Sequence, residues 1–381
     1  QAEDGIRDVE RSRGLGDVYK RQALTTGFDV STASFDSSFS VSGQEVYPHA
    51  LAFNTDGTKM FVAGYAGHDV NEYTLSTAWD VSTASFVDSF DISGQTTQVR
   101  GLAFSKDGTK MFITNNVGNT IEEYTLTTGY DVSTASHTDS MDISSYDLGI
   151  RGITFNNDGT RMFFHGQSGH DINEFTLSTA YDISTAEFAG TSKNCELIGV
   201  DITGNRELYD LEISNDGMKL LVASRHFSSD TADEQKAHVF NLSSPYDISS
   251  CVLASQTTDL NNDANTHGSN AGDYASLRRN HKLQSLEISN DGMKLFLLFY
   301  DDASDDVGGR LYEYELSSAY DLSSLTIVQS AGIKFNATLT TGIDNPSGMR
   351  FSPNGKRLFI TSHAHGGTPR VTQVSLSRAC L

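Results

Sequence analysis

The chain has 381 residues, and its formal net charge of −22 disfavours nucleic acid as a partner, because phosphate binding needs a basic surface. No run of 18 or more apolar residues occurs, so the sequence predicts no membrane-spanning helix. Aromatic residues make up 10% of the chain, which argues against disorder and indicates a folded domain with a substantial core.

The first 22 residues differ in composition from everything that follows. They carry five basic and five acidic residues and match no other part of the chain. The segment resembles a translated cloning adaptor, and we leave it out of the fold prediction. The alternative is a natural charged leader. We expect residues 23–381 to form one domain.

Residues 23–381 are organised by two motifs that alternate along the chain. One is a hairpin with Asp-Gly or Asn-Gly at its turn, and its turn glycines are Gly57, Gly108, Gly159, Gly217, Gly292 and Gly355. The other is an aromatic residue followed by Asp, and its aromatic residues are Phe28, Trp79, Tyr130, Tyr181, Tyr246 and Tyr320. A pair of motifs that alternates six times along a chain is typical of stacked repeat units.

Each repeat predicts four β-strands. Alternating apolar residues precede the turn, and a glycine at the turn adopts a positive φ without strain. Residues 60–63 are apolar throughout, as expected of a strand that is buried on both faces. A third strand ends at residues 72–75, and a fourth follows the aromatic-Asp turn. Such a unit cannot bury both faces alone, so we predict an all-β fold, a β-propeller of four-stranded blades.

The order of the two motifs predicts how the ring closes. An aromatic-Asp turn and an outer strand at residues 34–43 precede the first hairpin, whereas no such turn follows the last hairpin. We therefore predict six blades, with residues 34–43 completing the last blade so that no sheet edge stays open. Residues 24–29 and 374–380 both match the same position in the repeat. A fragment of a seven- or eight-bladed ring is therefore the alternative.

Two hairpin cores resemble those of known propellers. Residues 104–109 read Phe-Ser-Lys-Asp-Gly-Thr, and residues 351–356 read Phe-Ser-Pro-Asn-Gly-Lys. They resemble the repeat signature of TolB-like, YVTN and WD40-like bacterial β-propellers, and the resemblance covers residues 28–376. Those families include periplasmic interaction proteins, surface-layer proteins, lactonases and cofactor-dependent dehydrogenases. The resemblance implies the fold and leaves the function open.

The residues that begin the innermost strands are predicted to form a ring around the propeller axis. They are His49, Arg100, Arg151, Tyr209, Gln284 and Ser347. We predict that the first five bind a ligand, because two arginines in an acidic protein can hold a carboxylate or a sulfate. The alternative is that both arginines pair with neighbouring Asp residues.

Charged residues also lie further along the innermost strands of blades 4–6. Asp210 precedes Glu212 by two residues, so both face the same side of their strand. An ion pair between Glu287 and Arg350 is one prediction, because a buried carboxylate needs a cationic partner. The alternative is a divalent metal or a general base at Asp210, Glu212 and Glu287, as in a lactonase-like or other metal-dependent hydrolase.

Long loops in blades 4–6 are predicted to form the ligand face and contain possible metal ligands. Residues 259–265 resemble the first half of a calcium-binding EF-hand loop, but the Gly and the Glu that complete that template are missing. The candidate metal ligands are Asp259, Asn261, Asp263, Asp301, Asp305, His363 and His365. An irregular Ca²⁺ site and a solvated acidic loop both remain open.

These features predict a non-enzymatic binding propeller that is extracellular, periplasmic or displayed on a cell or virion surface. Its acidity suits a saline setting outside the cell. We expect a protein or a glycan as partner and no cofactor other than Ca²⁺, and the oligomeric state is open. The alternatives are the hydrolase described above and a structural repeat module of a larger adhesin or virion fibre.

We expect Cys195 and Cys251 to lie at opposite ends of their blades and not to pair with each other.

Overall fold

The chain folds into a ring of six β-sheets in a computed structural model. The structure describes residues 28, 33–169, 171–189, 205–227, 234–258, 260, 281–301, 308–327, 333–334, 345–363 and 369–376. Within these residues every sheet is antiparallel and contains a run of four strands, and one sheet has a short fifth strand. The predicted all-β, six-bladed propeller is therefore confirmed.

The strands fill the blades in chain order, apart from β1 (Ala33–Ser40), which belongs to the last blade. Blade 1 contains β2 (Pro48–Phe53), β3 (Lys59–Gly64), β4 (Asp69–Leu75) and β5 (Ala84–Asp91). Blade 2 contains β6 (Val99–Phe104), β7 (Lys110–Asn115), β8 (Thr120–Leu126) and β9 (Ala135–Asp142). Blade 3 contains β10 (Gly152–Phe155), β11 (Arg161–His165), β12 (Ile172–Leu177) and β13 (Ala186–Phe188).

The second half of the ring follows the same plan with longer first and second strands. Blade 4 contains β14 (Asn205–Ile213), β15 (Lys219–Phe227), β16 (Glu234–Asn241) and β17 (Val252–Gln256). Blade 5 contains β18 (His281–Ile288), β19 (Lys294–Asp301), β20 (Gly308–Leu316), β21 (Leu325–Ile327) and β22 (Ile333–Lys334). Blade 6 contains β23 (Asn345–Phe351), β24 (Arg357–His363), β25 (Arg370–Leu376) and β1.

The N-terminal strand closes the ring. β1 pairs antiparallel with β25, which gives blade 6 its fourth strand. The Phe28 amide donates a hydrogen bond to the Gly355 carbonyl at 2.8 Å, and the Phe28 ring packs 5.0 Å from that of Phe351. Phe28 thus fills the aromatic position of blade 6, as the order of the motifs predicts.

Each hairpin turn packs against the aromatic-Asp turn that follows it. In blade 2, the Tyr130 amide donates to the Gly108 carbonyl at 3.0 Å, and the Tyr130 ring covers the glycine. A Cβ atom on Gly108 would lie 2.2 Å from that ring. Tyr130 itself has a φ of 59°, which few residues other than glycine adopt. The same contact recurs at Gly57, Gly159, Gly217, Gly292 and Gly355.

The hydrophobic core lies between adjacent blades. Phe61 on the second strand of blade 1 packs on Phe104 on the first strand of blade 2, with ring centroids 4.6 Å apart. Phe112 and Phe155 repeat this contact between blades 2 and 3 at 4.5 Å. Equivalent pairs join blade 5 to blade 6 and blade 6 to blade 1. Each pair adds about 0.5–1.5 kcal/mol beyond area burial to the packing between blades.

A buried polar side chain on the third strand also connects neighbouring blades. Glu123 in blade 2 accepts a hydrogen bond from the Ile183 amide in blade 3 at 2.8 Å, and it pairs with Lys110 at 2.5 Å. The carboxylate therefore satisfies a buried amide of the next blade. The same bond to the next blade is made by Glu72, Glu174 and Gln373.

Helical structure in the described residues is limited to short 3₁₀ turns after the aromatic-Asp motif. They are Val81–Thr83, Val132–Thr134, Ile183–Thr185, Ile248–Ser250 and Leu322–Ser324. In the part of the chain that the structure describes, none of these helices could cross a membrane. Cys251 follows one of these turns and is disulfide-bonded, while Cys195 and Cys380 lie outside the described residues. The predicted lack of a Cys195–Cys251 pairing is therefore untested.

Candidate ligand-binding site

The innermost strands share an irregularity at the level where the predicted ring of ligand-binding residues lies. The pairing between first and second strands shifts at the same place in five blades, and the residues at the shifts are His49, Arg100, Tyr209, Gln284 and Ser347. In blade 3, Arg151 directly precedes β10. A β-bulge turns its side chain away from the regular alternation of a strand. The bulges therefore direct one side chain to the axis in each of these five blades.

These side chains line a cavity of about 620 Å³ on the face opposite the hairpin turns, which we call the axial mouth. Four basic side chains and one carboxylate border it among the described residues, namely Arg100, Arg151, Arg225, Lys282 and Glu207. This local excess of positive charge is opposite in sign to the net charge of the whole chain, which is −22. The axial mouth is thus a basic site on an acidic protein.

The two arginines predicted to bind a ligand differ in their partners. Arg151 forms an ion pair with Glu207 at 2.9 Å, and its guanidinium carbon lies 4.1 Å from the centre of the Tyr209 ring. Arg100 contacts the His49 imidazole at 3.3 Å and forms no ion pair with any described residue. Burial and the charge of Arg151 lower the pKa of Arg100. The predicted alternative, pairing with an Asp, is found for neither arginine in the described part of the chain.

A channel of about 360 Å³ continues from the axial mouth along the propeller axis. All six residues of the predicted ring border both cavities. At its other end the channel reaches Asn157, Asn215 and Tyr246 beside the hairpin turns. The cavity therefore runs along the axis from the axial mouth to the opposite face.

Glycines on the innermost strands open the channel wall to residues of the second strand. In blade 3, a Cβ atom on Gly152 would lie 3.0 Å from Nε2 of His165, so glycine leaves room for the imidazole. His165 is 2% exposed, and Nδ1 of its imidazole has no hydrogen-bond partner among the described residues. Burial lowers the pKa of His165 to about 3, with the Arg151 charge adding to the effect. The channel wall thus presents a neutral imidazole, which sequence reasoning missed because it lies on a second strand.

Asp210 and Glu212 lie together on the channel wall and bind the next blade. Asp210 accepts hydrogen bonds from the Ser285 hydroxyl at 2.6 Å and from the Leu286 amide at 3.0 Å. Glu212 accepts one from the Ile288 amide at 2.9 Å. Burial raises the pKa of both carboxyls, and the nearby Glu287 raises that of Glu212 further. Both side chains therefore have a structural role between blades 4 and 5.

Glu287 and Arg350 form the ion pair that the sequence predicts between blades 5 and 6. Nη1 of Arg350 lies 3.4 Å from Oε1 of Glu287, which confirms the contact. The Arg350 side chain is 62% exposed, and it borders the channel rather than the outer surface. Burial raises the pKa of Glu287, and Arg350 offsets part of that increase. One arginine thus faces three carboxylates in this part of the wall.

Metal binding at the predicted positions stays a prediction. Among the described residues, no three His, Cys, Asp or Glu side chains are arranged to hold a metal ion. The backbone of Asp301 and His363 is described but their side chains are not. The other candidates, Asp259, Asn261, Asp263, Asp305 and His365, lie outside the described residues. Most of the predicted ligand face on the loops of blades 4–6 also lies outside them.

No protein-family model matches the chain, and no curated protein matches it in sequence. Solved structures do resemble it. The hydrazine synthase of Kuenenia stuttgartiensis has a TM-score of 0.51 at 12% identity, over 87% of this chain and 77% of that one. The β-propeller domain of Cps50 (Swd1) from Myceliophteria thermophila has a TM-score of 0.51 at 10% identity, over 91% of this chain and 100% of that one.

A luciferin-regenerating enzyme is similar to the same degree, with a TM-score of 0.51 at 9% identity, over 89% of this chain and 95% of that one. At these identities the likeness concerns the fold alone. It agrees with the β-propeller built from the repeats. Membership in the TolB-like, YVTN or WD40-like families stays a prediction, and the function must be argued from the site.

Proposed function

We propose that this protein is a non-enzymatic binding propeller that recognises a carboxylate or a sulfate at the axial mouth. The observation that carries the proposal is Arg100, which faces the channel beside Arg151 without an ion-pair partner among the described residues. Two guanidinium groups held side by side repel each other, and a bound anion relieves that repulsion. Arginine also matches the planar geometry of a carboxylate or the oxygens of a sulfate.

The charge around the axial mouth supports the same proposal. The excess of basic side chains there is surrounded by a strongly acidic chain. A local positive potential on such a surface attracts anions to one place and repels cations from it. Gln284 and Ser347 add neutral hydrogen-bonding groups at the same level.

Apolar residues near the axial mouth favour a macromolecular partner, a protein or a glycan. Five exposed large hydrophobic residues lie in loops on this face of blades 1–3, namely Val46, Tyr47, Tyr65, Val117 and Leu148. The rings of Tyr47 and Tyr65 meet edge to face at 6.3 Å. Exposed aromatic groups beside a charged pocket are typical of interaction surfaces.

The disulfide at Cys251 supports an extracellular, periplasmic or surface location. Disulfide bonds form and persist in oxidising compartments and are rare in the cytosol. The acidic composition is consistent with the same setting.

Isothermal titration calorimetry with citrate at constant ionic strength tests the anion site. We expect R100Q to weaken citrate binding about tenfold or more, because a charge-assisted hydrogen bond contributes roughly 1.5–3 kcal/mol. R357Q is the matched control, since Arg357 lies 3.8 Å from Asp80 and outside the channel. Sulfate should compete with citrate. The proposal fails if neither anion binds the wild-type protein, or if R100Q and R357Q bind citrate equally.

A hydrolase is the second candidate, and the carboxylates of the channel wall favour it. Asp210, Glu212 and Glu287 all have raised pKa values, and the first two line the channel, as a general acid or base would. Their oxygens, however, accept hydrogen bonds or an ion pair within the protein. Lactone hydrolysis that is abolished by E212Q and retained by R100Q would favour this candidate over the binding protein.

A further inference from the structure

We propose that the axial channel binds a short peptide with two free termini, with its C-terminal carboxylate at the axial mouth and its N-terminal ammonium at the carboxylates of the channel wall. The inference rests on the proposed function, because the carboxylate would occupy the same anion site. It adds a small ligand inside the channel, besides the macromolecular partner proposed for the apolar loops around the mouth, and gives the chemical class and direction of that small ligand.

The charges of the channel change sign along the axis. The axial mouth has four basic side chains to one carboxylate among the described residues. Further along, Asp210, Glu212 and Arg350 line the channel, and Glu287 lies behind them as the ion-pair partner of Arg350. Both regions belong to one continuous cavity. A ligand with a negative end and a positive end matches this arrangement, whereas a simple anion matches only the axial mouth.

The separation of the two regions sets the length of the ligand. Tyr209 borders the axial mouth and Glu212 borders the channel, and both lie on β14. Three residues of a strand span about 10 Å at roughly 3.3 Å per residue. An extended tripeptide has nearly the same length between its terminal charges. The cavity volume of about 360 Å³ also lies in the range of small-ligand sites, roughly 300–1,000 Å³.

Between the two regions lies a neutral hydrogen-bonding group. His165 borders the channel and is almost fully buried, and Nδ1 of its imidazole has no hydrogen-bond partner among the described residues. A buried imidazole without a partner costs free energy, so it marks a place where a ligand or water is expected to bind. Because it stays neutral, it suits the N–H or C=O of a peptide group better than another charge. This observation favours a peptide over an amino acid with an alkyl chain.

Glu212 has an oxygen that can accept the ammonium group. Its Oε2 accepts the Ile288 amide, while its Oε1 has no hydrogen-bond partner among the described residues. Burial and the neighbouring Glu287 and Asp210 raise the pKa of Glu212, so an ammonium group at Oε1 would favour the ionised form of this carboxyl and offset its negative charge. Arg350 is held by Glu287 and offsets only part of that charge.

Calorimetric titration with three peptides tests the inference. The first probe, tri-alanine, has both terminal charges. N-acetyl-tri-alanine has only the carboxylate, and tri-alanine amide has only the ammonium group. We expect the wild-type protein to bind tri-alanine about tenfold or more tightly than either capped peptide. In E212Q the difference in affinity between tri-alanine and its acetylated form should disappear. In R100Q the difference between tri-alanine and its amide should disappear.

Citrate binding separates failure of the inference from failure of the proposed function. If N-acetyl-tri-alanine binds as tightly as tri-alanine, or E212Q keeps the wild-type preference, the peptide inference is overturned and the anion site stands. If citrate binds and none of the peptides does, the peptide inference is likewise overturned and the anion site stands. Citrate binding by E212Q shows that this variant is folded with an intact mouth. If citrate also fails to bind the wild-type protein, the proposed function fails as well.

Discussion

The Phe28 amide donates a hydrogen bond to the Gly355 carbonyl at 2.8 Å, which joins the first described residue of the chain to its last hairpin. The Phe28 ring covers Gly355, as the other five aromatic residues cover their turn glycines. Blade 6 is therefore built from both ends of the described chain. The stability of the ring should depend on the N-terminal segment as much as on any internal blade.

The first prediction concerns this closure. F28A should lower the free energy of unfolding by about 2–4 kcal/mol, somewhat below the loss for a fully buried Phe, because Phe28 is only half-buried. F86A is the control, since Phe86 is exposed on an outer strand. Chemical denaturation of both variants measures the difference. Equal losses in the two variants would show that Phe28 does not close the ring.

The second prediction concerns the hairpin turns. G108A should destabilise the protein by about 2 kcal/mol or more, because its φ of 73° disfavours any side chain and its Cβ atom would collide with Tyr130. G94A is the matched control, since a Cβ atom there has no neighbour within 4 Å. Thermal unfolding should show a lower Tm for G108A alone. A similar Tm for both variants would contradict the packing of the turn.

The third prediction separates the two bonds of Glu123. E123Q keeps an oxygen for the Ile183 amide and loses the ion pair with Lys110, which is partly exposed and also bonds to Thr125 at 3.0 Å. E123A leaves the buried amide without a partner, at a cost of about 1–3 kcal/mol. We therefore expect a small loss of stability in E123Q and a larger one in E123A.

Gln373 shows that a neutral side-chain amide can make the hydrogen bond to the next blade. Its Oε1 accepts a hydrogen bond from the Val81 amide at 2.9 Å, so blade 6 already has the arrangement that E123Q would create in blade 2. Urea denaturation of the two Glu123 variants provides the measurement. Equal losses in E123Q and E123A would mean that the ion pair with Lys110, and not the hydrogen bond to the Ile183 amide, holds the blades together.

The fold could be predicted because its local requirements recur at fixed positions. The turn glycines and the aromatic residues that cover them are single residue types repeated six times, so each supports the assignment of the others. The contacts of Glu123 could not be predicted in this way. A glutamate on a strand reads as a surface residue, and its burial becomes evident only when the amide of the next blade is placed beside it.

The candidate site could be predicted in part. The position of Arg100 and Arg151 at the start of innermost strands was enough to place them near the axis. The bulges that turn these side chains inward leave no mark in the sequence. His165 lies on a second strand, and it reaches the channel only because Gly152 has no side chain. Contact of this side chain with the channel thus depends on a pair of residues on different strands.

The fourth prediction concerns the effect of pH on the carboxylates of the channel wall. Burial raises the pKa of Glu212 in the folded state above its unfolded value. The folded protein therefore holds a proton that the unfolded chain releases, and stability decreases as the pH rises from the ordinary carboxyl range through the raised pKa. E212Q should lose stability less steeply over that range. Denaturation curves of both proteins between pH 4.5 and 8 measure the slopes, and equal slopes would contradict the raised pKa.

The fifth prediction concerns His165 and has the opposite sign. Burial lowers its pKa to about 3, so below pH 6.5 the unfolded chain takes up a proton that the folded protein excludes. Stability should therefore fall as the pH falls, by about 2–3 kcal/mol between pH 7 and pH 4.5 for this one group. H165Q should lack that part of the decrease. If wild type and H165Q lose the same stability over this interval, the imidazole is not held neutral.

The most direct test of the anion site is a crystal structure of the protein grown with selenate, the heavier isostere of sulfate. The selenium position can be found from its anomalous scattering. We expect a selenium peak in the axial mouth, with its oxygens within hydrogen-bonding distance of Arg100 and Arg151. Selenium peaks on the outer surface together with an empty axial mouth would contradict the account.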